Sequence, residues 1–203
     1  LSTSSTLVLY ATSGMEQPLA ALLAFASAVV LWRDAPTRRD GVVAGLLAAA
    51  ACMTRPELVL VAGLLGLWLV IDALRTRTLT PVLIGYAPAV IAPLLAFVAF
   101  RWAYFGALVP NTYWVKTGAG DLIWRAGLDT TRQMLGFNGI GGLLLLTPFA
   151  FIDGTRRAQK RFMLVVTLAF FAFQYRVGSD EMHWYRLVVP ALPFLALLAA
   201  LGL

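Results

Sequence analysis

Pro81 to Phe100, PVLIGYAPAVIAPLLAFVAF, is a run of twenty residues without a single charge. At 1.5 Å of helical rise per residue such a run crosses a hydrocarbon core of about 30 Å. Six further apolar runs accompany it: Leu19 to Trp32, Gly41 to Met53, Leu58 to Ile71, Gly139 to Ile152, Phe162 to Tyr175 and Leu187 to Leu203. Composition agrees with a chain built for lipid, since 60% of the residues are hydrophobic and only 13% charged, with a mean hydropathy of +0.80. A soluble domain of this length is far less apolar. The expected fold class is therefore all-α, a polytopic transmembrane bundle of about seven apolar segments. The shorter runs fit by local thinning of the bilayer or by burial within the bundle.

The formal net charge of +6 raises the question of nucleic acid. The positions of the cations answer it. Arg33, Arg38, Arg39, Arg75, Arg77, Arg156, Arg157, Lys160 and Arg161 fall in loops that alternate to one side of the bundle, here taken as cytoplasmic. That asymmetry is the positive-inside pattern, and nucleic-acid binding is set aside. Cys52 is the single cysteine, so no intramolecular disulfide exists, and it lies in an Ala-rich run where packing explains it. Neither an internal repeat nor a low-complexity tract divides the chain, so residues 1–203 are expected to form a single transmembrane domain. The chain opens without Met on a Ser/Thr-rich stretch that reads as the end of a preceding helix, and it stops inside an apolar run. It is expected to be a central piece of a longer protein.

The opposite, extracytoplasmic side receives four polar segments. In ATSGMEQP, residues 11 to 18, Gly and Pro mark a break before an apolar helix, and Glu16 stands at its mouth. A carboxylate there complements the helix dipole without any ligand, which is the simpler reading; the functional one is a carboxylate that orients a sugar hydroxyl or a basic partner. In TRPE, Thr54 is expected to cap the next helix, Pro56 to suit its first turn and Glu57 to complement its N-terminus. An Arg55–Glu57 pair would complete such a cap. A cap does not need arginine, however, and the planar fork of Arg55 matches a phosphate or a carboxylate.

The third segment, RWAYFGALVPNTYWVK from Arg101 to Lys116, carries the strongest local signal. Trp102, Tyr104, Phe105, Tyr113 and Trp114 suit an interfacial aromatic belt. A belt does not explain Asn111, Thr112 and Lys116 beside Pro110. Such a segment suits the rim of a polar cavity, with Lys116 and Asn111 on a phosphate and the faces of Tyr113 and Trp114 on a sugar ring. The fourth, RVGSDEMHWYR, places Asp180, Glu181 and His183 between Arg176 and Arg186. A solvated turn is the bland reading of this charge run. Asp, Glu and His are ligand types for a divalent cation, but their spacing matches no metal motif, and no metal site or cofactor is assigned. Asp180 and His183 suit an acceptor or sugar hydroxyl, and Arg176 and Arg186 an anionic head group. Near-membrane charges seek partners or ligands, so Arg55, Lys116, Asp180 and Arg186 are expected to converge on one cavity.

Four blocks in this order resemble the polytopic GT-C glycosyltransferases, most closely the arabinofuranosyltransferases that add terminal β-arabinofuranosyl units in cell-wall arabinan synthesis. The blocks are SGME from Ser13, TRPE from Thr54, YFGALVPNTYWVK from Tyr104 and GSDEMHWYRLVVPALP from Gly178. The last departs from the family's Gly-Gly-Asp pattern, with Ser179 in place of the second Gly and Glu181 after the Asp. The resemblance implies a multi-pass plasma-membrane enzyme with an extracytoplasmic active face. Its donor would be a sugar, arabinofuranose, on a polyprenyl phosphate, and its acceptor a cell-wall polysaccharide. It also implies an acidic catalytic base in a first extracytoplasmic loop that would precede Leu1, so no catalytic residue is assigned. Two rivals use the same residues: a transporter or flippase of lipid-linked sugar, which predicts repeats and broken helices, and a noncatalytic membrane assembly subunit whose loops bind a partner.

Overall fold

A computed structural model describes residues 15–106, 122–137, 139–177 and 186–203. The described residues are helical and contain no strand. In chain order the α-helices are α1 (Gln17–Leu31), α2 (Arg38–Thr54), α3 (Val59–Thr76), α4 (Pro81–Phe105), α5 (Leu122–Phe137), α6 (Ile140–Leu146), α7 (Arg157–Val177) and α8 (Leu192–Ala200). Short 3-10 segments at Pro56–Leu58, Thr147–Phe151 and Arg186–Ala191 lead into or out of them. Each expected apolar run is thus helical. Pro56–Thr76 and Pro81–Phe105 are long and apolar enough to cross a membrane, and a third span results if 126–136 and 140–151 act as one bent pair. Among the described residues, seven full spans are not confirmed at that standard. At 1.5 Å per residue α1 measures about 22 Å, and α7 opens on Arg157, Lys160 and Arg161, so neither offers a full-length apolar window.

The chain divides into two compact units, Leu19–Pro110, and Leu1–Pro18 with Asn111–Leu203. In the first, helix ends follow local chemistry. Thr37 caps α2: its hydroxyl accepts from the Asp40 amide at 3.3 Å, and the Asp40 carboxylate accepts from the Thr37 amide at 2.8 Å. This reciprocal box fixes the end of what reads in sequence as a basic loop. Thr80 caps α4 by accepting from the Leu83 amide at 3.3 Å, with Pro81 in the first turn. Arg77 ends α3 at φ 54° and Gly106 ends α4 at φ 64°, both left-handed. Helix α4 therefore continues five residues past Phe100, and Arg101–Phe105, the start of the polar segment in sequence, form its last turn.

Within this unit α2 packs mainly on α4 and less on α3. The buried face of α2 is Gly41, Ala44, Gly45, Ala48 and Cys52, with no large side chain. Its backbone reaches that of α4 directly. A Cβ on Gly41 would lie 2.2 Å from the Val82 carbonyl oxygen, and one on Gly85 2.3 Å from that of Arg38. Small residues four apart are how helices approach closely where lipid removes the hydrophobic drive to pair.

In the second unit α7 packs on α5 and α8. Gly127 of α5 repeats the device, its absent Cβ lying 2.2 Å from the Tyr175 carbonyl oxygen. Phe162, Met163, Val166 and Phe170 of α7 join Phe194 and Leu195 in the buried apolar set, and the Phe162 and Phe194 rings meet edge to face at 6.1 Å. Lys160 reads in sequence as a solvated loop cation. Instead it is only 1% exposed, and its ammonium pairs with the Asp153 carboxylate.

Candidate functional site

The TRPE segment is the best-defined of the sequence-derived candidates. Thr54 ends α2 and does not cap the next helix: its hydroxyl donates back to the Ala51 carbonyl at 2.7 Å. The expected N-cap role is thereby corrected. In a last helical turn the carbonyl four or three residues back is the acceptor within a short side chain's reach. Arg55 breaks the helix with extended backbone, and Pro56 opens the 3-10 turn that leads into α3. The Arg55 Nε donates to Glu57 Oε1, and both side chains are only 9% exposed. A cation and an anion are thus held two residues apart at the junction of two apolar helices. Burying either alone would cost several kcal/mol, of order 3–5 when one partner of such a pair is removed.

Glu16 is exposed just before α1, and its neighbour Gln17 opens the helix fully buried. Among the described residues, both amide atoms of Gln17 lack a hydrogen-bond partner. Arg176 is exposed in the last turn of α7. Arg186 is half-buried and opens the 3-10 segment before α8. That segment packs on α7 within the second unit. Asn111, Tyr113, Trp114, Lys116, Asp180 and His183 lie outside the described residues. Among the described residues, no group of three or more His, Cys, Asp or Glu side chains could hold a metal ion.

Two polar groups do not stand out as site residues in the sequence. Gln17 reads there as part of a turn, and its burial depends on tertiary packing that no local pattern reveals. Arg101 reads there as the start of the polar, aromatic segment that follows the apolar run Pro81 to Phe100. The alternation of Phe97, Arg101 and Phe105 every four residues is the available signal, because it stacks the three on one helical face.

No family profile matches the chain, and no solved structure matches it. The terminal beta-(1->2)-arabinofuranosyltransferase of Corynebacterium glutamicum is 30% identical over 202 residues, covering 91% of this chain and 28% of that protein. The likeness to arabinofuranosyltransferases read from the four blocks therefore holds across most of the chain. The chain spans about 28% of the length of the relative it matches.

Proposed function

We propose that this chain forms part of a membrane glycosyltransferase of the GT-C type, transferring arabinofuranose from a polyprenyl phosphate to a cell-wall glycan on the extracytoplasmic face. The observation that carries the reading is the 30% identity extending over 91% of the chain. Two helices long and apolar enough to cross a membrane agree with it, since a lipid-linked donor reaches its enzyme through the bilayer.

Transfer to an acceptor hydroxyl requires a base to take the hydroxyl proton as the oxygen bonds to the anomeric carbon. The bond from that carbon to the phosphate oxygen breaks, and positive groups stabilise the departing phosphate. In this reading Arg55, Lys116, Arg176 and Arg186, with Asn111, serve the phosphate. Glu16, Asp180, His183, Tyr113 and Trp114 serve the sugar and the acceptor. Arg55 suits its role because its guanidinium is buried and already oriented by Glu57, so little side-chain freedom is lost on binding an anion.

The test uses the full-length protein, reconstituted with polyprenyl-phosphoryl arabinofuranose and an arabinan acceptor. Transfer to the acceptor is expected, and Lys116→Ala is expected to lower kcat/KM about ten- to a hundredfold, as loss of a charge-assisted contact does. Lys116→Arg recovers part of that loss, because the charge survives. Absence of any transfer from the lipid-linked donor overturns the reading. Full activity in Lys116→Ala removes Lys116 from the site.

A further inference from the structure

The last turn of α4 holds an arginine in surroundings unlike those of the loop arginines. Arg101 is half-buried. Its guanidinium carbon lies 5.8 Å from the centroid of the Phe97 ring and 5.9 Å from that of Phe105, so two aromatic faces flank the charge. Its Nε is buried and, among the described residues, lacks a hydrogen-bond partner. Among the described residues no carboxylate pairs with it. An arginine that merely anchors a helix end turns its N–H groups to water along an extended stem. Here the rings hold the head group against the helix, leaving a cation and a buried donor in want of an anionic acceptor.

The adjoining surface is an exposed apolar stripe. Ile91, Leu95, Val98 and Trp102 recur at helical spacing on one side of α4, and each is exposed. Only 17% of the most apolar window of this helix is buried, against 33% for the Pro56–Thr76 span. We propose that Arg101 and this stripe form a binding site for an anionic phospholipid of the bilayer. The phosphate accepts from the Arg101 guanidinium, and an acyl chain lies along Ile91, Leu95 and Val98. Charge complementarity commits the site to an anionic lipid, because a zwitterionic head group brings its own ammonium to compete for the phosphate. The proposal needs only a membrane location and does not depend on the transferase reading.

Native mass spectrometry of the detergent-solubilised full-length protein provides the test, with phosphatidylglycerol and phosphatidylcholine offered at equal concentration. Wild type is expected to retain phosphatidylglycerol about tenfold better, the scale of one charge-assisted contact. Arg101→Gln removes that preference while thermal unfolding of the protein stays unchanged, and Arg101→Lys keeps part of it. An unchanged preference in Arg101→Gln overturns the proposal. So does displacement of phosphatidylglycerol by an equimolar polyprenyl phosphate together with a tenfold loss of sugar transfer in Arg101→Gln, which makes this a donor site instead. Photo-crosslinking keeps the question open to disproof should Arg101→Gln fail to fold. A benzoylphenylalanine at Val98, with Arg101 intact, is expected to capture phosphatidylglycerol in preference to phosphatidylcholine. The same probe at the exposed Val165 of α7 is expected to show no such preference. Equal preference at the two positions overturns the proposal.

Discussion

The Tyr86 hydroxyl donates a 2.8 Å hydrogen bond to the Ala62 carbonyl, tying α4 to α3 across 24 residues of sequence. Tyr86 is only 2% exposed, so its hydroxyl has no water to fall back on. Interhelical bonds of this kind average about 0.6 kcal/mol and reach about 1.7 kcal/mol in membrane helices. Tyr86→Phe is therefore expected to destabilise the protein within that range. Chemical denaturation in detergent measures it. A neutral result would mean that the bond is replaced in the unfolded state, where the tyrosine finds another partner.

Gly41 and Gly85 set the distance between α2 and α4. Their missing Cβ atoms would stand 2.2 and 2.3 Å from carbonyl oxygens of the opposite helix, and backbone cannot swing aside as a side chain can. Gly41→Ala and Gly85→Ala are each expected to cost about 1–3 kcal/mol or more, the range for overpacking. Gly63 has nothing within 4 Å of its would-be Cβ, so Gly63→Ala serves as the matched control and is expected to be neutral or slightly stabilising. Thermal unfolding of the three variants side by side decides it.

Lys160 and Asp153 form an asymmetric pair, the amine buried and the carboxylate 56% exposed. The Lys160 hydrogen bond, supported by one from Thr155, pulls Asp153 down from 3.8 to about 2. A depressed folded-state value means that this contribution to stability is complete above pH 3.8 and is lost as pH falls through about 2. Wild type is expected to lose thermal stability across that window, and a Lys160→Met/Asp153→Asn double variant to lose less. Asp153→Asn alone is expected to be worse than the double variant at pH 7, since it leaves a buried ammonium without its carboxylate. Equal stability of the single and double variants would show that the ammonium finds water on its own.

Helix existence is legible in the sequence, because each long apolar run admits little else in lipid. Pairing is not. The glycines of α2 read as part of a short apolar stretch, and only the position of α4 turns Gly41 and Gly45 into a contact face. Lys160 shows the limit of counting charges. Loop cations are treated as solvated by the positive-inside rule, yet one seven residues beyond an aspartate folds back and buries its amine against it. At the candidate site, the Arg55–Glu57 pair is legible from two opposite charges between apolar runs. The role of Thr54 is not, because a threonine at such a junction fits either helix, and the structure uses it to close α2.

Orientation in the membrane rests on the charge asymmetry of the loops and is tested by labelling. Cys52 is buried, and a Cys52→Ala background removes it as a competing thiol. A cysteine at Arg157 is expected to be shielded from an impermeant thiol reagent in intact cells, and one at Ser179 to be labelled. The reverse pattern inverts the topology and moves the proposed active face to the cytoplasm.

The Arg55–Glu57 pair admits two roles that separate under double substitution. As a clasp alone, it joins α2 to α3, and either single variant breaks a buried ion pair. Arg55→Gln and Glu57→Gln would then each destabilise the protein, and the double variant would recover both stability and transfer. As a phosphate ligand oriented by Glu57, Arg55 acts differently. If the proposed transfer holds, Arg55→Gln is expected to lower kcat/KM of the full-length protein about ten- to a hundredfold, and the loss to persist in the double variant even where stability returns. Glu57→Gln alone keeps the cation and loosens its aim, so a smaller loss is expected, falling mainly on kcat if the contact tightens in the transition state. Arg55→Lys keeps charge but loses the planar fork, so it is expected to fall between wild type and Arg55→Gln. Recovery of transfer together with stability in the double variant would assign the pair to the helix junction and take Arg55 out of the proposed donor site.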